Sequence, residues 1–191
     1  MFESTGFRRR LAAFAIAACV ATAALAAPPN PPPANKLAGY SAYELAPVQL
    51  QPGIESKKNA GKVLAKVDEN MRAAVDPILS GWNAKADLQA PNKLVIESTI
   101  TTLHKPSGAG RFFAGAFMGD GKIVINVKIV EQPSGKVIAT PEFYQRANAM
   151  AGAWTVGAHD NAMLQRVTVL VANYLSGNYD EAVGGATGYE P

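Results

Sequence analysis

His104, His159, Cys19 and Arg111 are the side chains whose types suit catalysis, ligation or covalent modification. They are few, since the 191 residues hold two histidines and one cysteine. A metal site wants three or four His, Cys or carboxylate ligands converging on one point. Two histidines in separate elements fall short of that, so the sequence reads as having no metal and no cofactor. His159-Asp160 has the order of a base and its orienting carboxylate. No serine, however, sits in a nucleophile-elbow context, and a His-Asp pair at a helix start reads more simply as capping. No residue is assigned a catalytic role on this basis.

The glycines at 108, 110, 115, 119 and 121 surround Arg111 and suggest a phosphate loop at first sight. A phosphate loop needs Gly-Lys-Ser/Thr opening a helix. Here Gly121-Lys122 leads through Ile123 into a strand pattern, and the dinucleotide fingerprint is also absent. Turns, a bulge or close backbone packing explain these glycines. Arg111 stands before Phe112-Phe113-Ala114, where a guanidinium can pair with a carboxylate or cap a carbonyl, and it is a candidate ligand or partner contact. Trp82 and Trp154 fall in segments read as loops, as half-buried plugs over the ends of the core. Trp154 doubles as a candidate partner platform.

Cys19 belongs to the N-terminal region, which has the three parts of an export signal: Arg8-Arg9-Arg10, an apolar run from Leu11, and small residues at a cut site. Two processing points compete. Ala24-Leu25-Ala26 is an A-x-A site whose cleavage after Ala26 leaves Ala27 first. Ile16-Ala17-Ala18-Cys19 resembles the bacterial lipobox, in which the Cys is diacylated and becomes the new N-terminus. The apolar run continues past Cys19, and Ile opens the box where Leu is usual, so both readings stay open. The run from Leu11 to Ala27 is shorter than the ~20 residues a spanning helix needs.

Removing residues 1–18 takes three Arg and one Glu, leaving 15 basic against 14 acidic side chains. The formal charge of +3 on the whole chain therefore owes much to the signal. No Lys/Arg cluster with interleaved aromatics follows, so nucleic acid is excluded as a partner class. No cysteine remains for a structural disulfide.

The elements that must position any site are read from periodicity. Residues 27–39 read as a Pro-rich spacer (PPNPPPANK) in extended polyproline II. Residues 40–178 form one α/β domain, with no internal repeat, and 179–191 a frayed, Gly-rich tail. Tyr43 to Leu50 is a first strand, bent or at an edge because of Pro47; such an edge near Tyr43 could accept a partner strand. Ser56 to about Asp76 is a helix with Ala60, Leu64, Val67, Met71, Ala74, Val75 and Ile78 on its buried face, ended or kinked by Pro77. Lys93–Leu103 is a β-branched strand. Lys122–Val130 alternates, with Ile123, Ile125, Val127 and Ile129 on one side, and turns at Gln132-Pro133-Ser134-Gly135 into a return strand from Val137. Asn161–Ser176 is the closing helix, striped by Met163, Leu164, Val167, Leu170, Val171, Tyr174 and Leu175, with Gly177 as its C-terminal cap. The sum is a two-layer α/β sandwich: a mixed, largely antiparallel sheet of four to five strands packed by two helices.

The run GRFFAGAFMGDGKIVINVKIVEQPSGKVIATPEF sets an Arg before a Gly-dotted apolar stretch. A strongly alternating strand, an SGK hairpin, and a Gly/Ala loop before a closing helix follow. Across roughly 40–178 this order is similar to domain of unknown function family 4410, a family of bacterial envelope proteins many of which are lipoproteins. The resemblance implies a small periplasm-facing α/β domain, loosely like accessory domains of envelope assembly machines, and no catalytic residue. It transfers only Arg111 and Gly115–Gly121, as pattern positions without an assigned role. The expectation is a non-enzymatic envelope protein that binds an envelope partner, in the periplasm or on the periplasmic face of the outer membrane, touching the membrane only through an anchor at Cys19. Two rivals are a small periplasmic hydrolase using His159 or His104, and a module that grips a small anion near Arg111. Whether the largest cleft contains converging polar side chains or only apolar ones discriminates among them.

Overall fold

A computed structural model describes residues 29–57, 59–104, 121–146 and 158–189. Two long strands dominate the sheet: β3 (Lys93–His104) and β4 (Lys122–Gln132), paired antiparallel along their whole length. On the outer side of β3 lie β1 (Tyr43–Leu45) and β2 (Gln49–Leu50), both parallel to it. On the outer side of β4 lie β5 (Lys136–Ala139) and β6 (Glu142–Arg146), both antiparallel. Each side is thus one broken strand, interrupted at Ala46-Pro47-Val48 and at Thr140-Pro141, where proline cannot donate to a ladder. The sheet has six strands where four or five were expected, because Tyr43–Leu50 splits in two and β6, preceded by Pro141, carries too short a pattern to be read.

Alternation places Leu94, Ile96 and Ile100 of β3, and Ile123, Ile125, Val127 and Ile129 of β4, on one buried face. Helices α1 (Ala60–Asn83) and α2 (Ala158–Gly177) cover that face and pack on each other. Val67, Met71, Val75 and Leu79 of α1 meet Val167, Val171 and Leu175 of α2 in the same core. The expected stripes hold, with Leu64 and Leu170 partly buried at their margins.

Three local expectations are overturned. Pro77 does not end α1, which continues to Asn83. The ring is on the exposed side, where water reaches the Ala73 carbonyl it frees, while Leu79 and Trp82 bury beyond it. Trp82 accordingly sits in the last turn of the helix, not in a loop. It is buried, stacked on Tyr179 at 4.6 Å and edge-on to Tyr43 at 5.1 Å. Gly177 is the last helical residue rather than the cap, and capping passes to Asn178, whose Nδ2 donates to the Tyr174 carbonyl at 2.7 Å.

The stretches read as spacer and tail are packed from residue 29 to residue 189. Asn30 and Gly185 form an antiparallel bridge, and the Asn30 side chain exchanges two 2.8 Å hydrogen bonds with the Glu142 backbone. Leu37 is fully buried, and its N–H donates to the Asn178 carbonyl. Apolar Leu37 and Tyr40 anchor a proline segment that composition alone describes as free. The same segment lays its backbone beside the sheet, with the Ala34 N–H on the Ile138 carbonyl at 2.8 Å.

Candidate functional site

Cys19, Ala26, Arg111 and Trp154 lie outside the described residues, as do Gly108–Gly119. His104 is exposed at the end of β3, opposite Lys122 in register. His159 falls in the first turn of α2. Among the described residues no group of three His, Cys, Asp or Glu could hold a metal ion, and no helix is long and apolar enough to cross a membrane.

The edge near Tyr43 is closed. Asn83, at the end of α1, accepts from the Tyr43 N–H at 2.8 Å and donates to the Tyr43 carbonyl at 3.0 Å, as a neighbouring strand would. One helical stretch earlier, Asp68 accepts from the Val48 N–H at 3.0 Å and from Arg72 at 2.9 Å. Burial pushes the Asp68 carboxyl up, but the Val48 N–H and the Arg72 guanidinium outweigh it and hold the group below its ordinary value. The Tyr43 backbone groups are thus already paired, and a strand adding there would have to displace Asn83.

A polar cleft of about 430 Å³ opens where three distant segments meet: Asn35–Tyr40, Ala90–Asn92 and the end of β4 at Glu131. Its walls are stitched together by Ser41, whose N–H and hydroxyl both donate to the Asn92 carbonyl at 2.9 Å. Glu131 is fixed in the cleft. Its Oε1 accepts from Asn92 Nδ2 at 2.8 Å and from Ser134 Oγ at 2.9 Å, while its Oε2 lies 3.5 Å from the Tyr40 hydroxyl. Burial, and then the Glu131 charge beside it, push the Tyr40 hydroxyl up to about 12, so it remains a donor at any physiological pH. Gly39, at φ +93°, gives the wall a left-handed turn that a side chain would strain, and the space where a Cβ would stand is open. The lining of this cleft is more polar than apolar.

None of these cleft residues stood out in the sequence. Asn92 and Tyr40 lie 39 and 91 residues from Glu131 and come together only through the packing of the N-terminal segment. The available signal was Glu131 directly before the Gln132–Gly135 turn, a half-buried carboxylate position at the end of an alternating strand.

No family model and no curated protein sequence matches the chain, so the resemblance to family 4410 stands on the residue pattern alone. Solved structures do align with it. Protein XCC0632 from Xanthomonas campestris, of family DUF330, is 16% identical over 77% of this chain and 87% of its own, with a TM-score of 0.44. The PelC dodecamer from Paraburkholderia phytofirmans is 10% identical over 71% of this chain and 91% of its own, at 0.39. A minor lipoprotein from Acinetobacter baumannii is 9% identical over 73% of this chain and 94% of its own, at 0.34. Similarity of this degree assigns no role to any residue of the cleft.

Proposed function

We propose that this chain is an exported bacterial envelope protein that works as a non-enzymatic binding module, an accessory to an envelope partner. The observation that carries the reading is the N-terminal signal: Arg8–Arg10, the apolar run from Leu11, and processing points at Cys19 and Ala26. The packed position of Asn30, eleven residues beyond Cys19 and four beyond Ala26, supports it. An acylated Cys19 would leave eleven residues to Asn30, a reach of at most about 40 Å, and the domain would work close against the membrane. A chain starting at Ala27 would be free in the periplasm.

The test is the intact mass of the processed protein from membrane and periplasmic fractions of its exporting cell, with envelope crosslinking on the same fractions. A diacylated chain starting at Cys19, recovered with membranes, establishes the anchored form. A chain starting at Ala27 in the periplasm establishes the free form, with Cys19 discarded. An unprocessed chain in the cytoplasm overturns the reading, and a processed chain that crosslinks to no envelope protein overturns the partner-binding half of it.

A further inference from the structure

We infer that the cleft at Glu131 is a binding site for a neutral saccharide of one or two rings, held through its hydroxyl groups. The inference deepens the reading of the chain as a binding module. Charge gives no preference for either sign of ion: the cleft lining carries one carboxylate, Glu131, and one ammonium, Lys36, which offset each other.

Hydrogen-bonding capacity narrows the ligand class. Glu131 Oε1 is held by two donors, so the carboxylate is oriented before any ligand arrives. Oε2 has only the distant Tyr40 hydroxyl at 3.5 Å and keeps acceptor capacity. Asn92 uses its Nδ2 on Glu131, and its Oδ1 has no donor among the described residues. Asn35 and Lys36 also line the cleft, are exposed, and make no side-chain hydrogen bond among the described residues. A fixed acceptor and free donors in one cleft suit a group that both donates and accepts, which is what a hydroxyl does. A sugar ring offers several such groups at the spacing of adjacent carbons.

Size and surface agree. A volume of about 430 Å³ is at the small end of ligand pockets and accommodates one or two rings. Pro91 and Ala38 give the C–H faces of a ring apolar contact, and the bare turn at Gly39 lets a ligand approach the backbone. The same chemistry is presented by a free oligosaccharide and by a wall glycan, and the experiment separates the two.

The processed, isotope-labelled protein is titrated with cellobiose, maltose and N,N′-diacetylchitobiose to about 20 mM while amide shifts are followed by NMR, a range that captures millimolar affinity. The expected result is saturable shifts at Gly39, Asn92 and Glu131. Glu131→Ala should weaken binding about tenfold or more, the loss of a charged hydrogen bond. Lys36→Ala and Asn35→Ala change exposed side chains with no structural bond, so their folds persist, and each should weaken binding about threefold or more. Cosedimentation with purified peptidoglycan, competed or not by the disaccharide that binds, tells wall glycan from free sugar. No shift with any of the sugars, shifts away from the cleft, or shifts unchanged in both rim variants overturns the site. So does preferential binding of inorganic phosphate or of lysine amide. Because the mass measurement reads a different quantity, a processed envelope protein that ignores all sugars removes this site and leaves the envelope reading standing.

Discussion

Replacing Asn178 by Ala should be the most damaging single polar substitution in this fold. The side chain is fully buried and makes four hydrogen bonds. Its Nδ2 donates to the carbonyls of Tyr174 at 2.7 Å and Gly184 at 3.0 Å, and its Oδ1 accepts the N–H groups of Val183 and Gly184 at 2.8 Å each. One side chain thus closes α2 and holds the turn that brings Gly185 to Asn30. Ala leaves two N–H donors without an acceptor. A buried orphaned donor costs about 1–3 kcal/mol, so about 2 kcal/mol for the enclosed Gly184 N–H and about 1 kcal/mol for the half-enclosed Val183 N–H give about 3 kcal/mol together. The Tyr174 carbonyl adds little, because the Asn178 N–H still reaches it at 3.2 Å. A loss of about 3 kcal/mol is roughly two orders of magnitude in the folded-to-unfolded ratio, and about 6–12 °C in Tm for a chain of this size. Urea unfolding followed by circular dichroism measures it, with Asn173→Ala, an exposed position on the same helix, as the control. If the Asn178→Ala variant unfolds within about 0.5 kcal/mol of the parent, water has replaced the side chain and the terminal segment is not held as argued.

Four further outcomes are expected. Pro77→Ala should stabilise the protein by about 1–2 kcal/mol in the same urea assay, since the helix already runs through this position and regains a hydrogen bond; a destabilised variant would mean the proline shapes the helix for its packing. Asn83→Ala uncovers the backbone of Tyr43 and should cost about 1–2 kcal/mol and promote self-association in sedimentation velocity, whereas a stable monomer would show that the edge needs no cover. Asp68 has a depressed pKa, so its contribution is present above its unfolded value of about 3.8 and is lost as pH falls through the lower folded value. Asp68→Asn should therefore flatten the acid limb of the stability profile by less than about 1 kcal/mol, given the exposure of Arg72, and an unchanged limb would refute the assignment. Tyr40 and Tyr174, both pushed up to about 12, should ionise well above pH 10 in an absorbance titration of the folded protein. The stability they contribute is present below about pH 10 and lost between there and pH 12, and ionisation of Tyr40 and Tyr174 near pH 10 with the fold retained would contradict their burial.

The sequence announced its core because burial on one face writes a period into the chain. Ile123 to Ile129 and the α2 stripe were readable at single-residue level for that reason. Features that depend on one residue meeting another far away left no period. Pro77 argued locally for a helix end, and the contrary force, Leu79 and Trp82 entering the core, lay outside the local pattern. The proline segment and the Gly-rich end looked unstructured because each has few apolar residues and no period by itself. Only together, through Asn30, Gly185, Leu37 and Asn178, do they satisfy each other's backbone. Gly184 shows the constraint: at φ +81° a Cβ there would fall into the Asn30 carbonyl and against the Pro32 nitrogen, so the close approach demands glycine. The cleft inherits this illegibility, since its walls come from the segment that looked free.

The manner in which the sheet ends bears on how a partner can approach. An exposed edge strand is a template for another chain. Here both edges are occupied by the protein's own groups. Asn83 and Asp68 reach down from α1 to the β1–β2 side, and the backbones at Asn30, Ala34 and Thr187 run beside β5 and β6, with the Tyr144 N–H on the Thr187 carbonyl at 2.8 Å. A partner that added a strand would have to displace one of these, losing several hydrogen bonds before forming its own. The face of the sheet away from the helices carries Glu97 with Lys128, and Glu44 with Lys93 beside it, exposed ion pairs that cost little to rearrange. Side-chain recognition at that face or at the Glu131 cleft is consequently the cheaper route. Crosslinkers placed at exposed Lys128 or Lys36 should capture a partner that a probe on β1 or β6 does not, and capture confined to β1 or β6 would show that the edge covers open on binding.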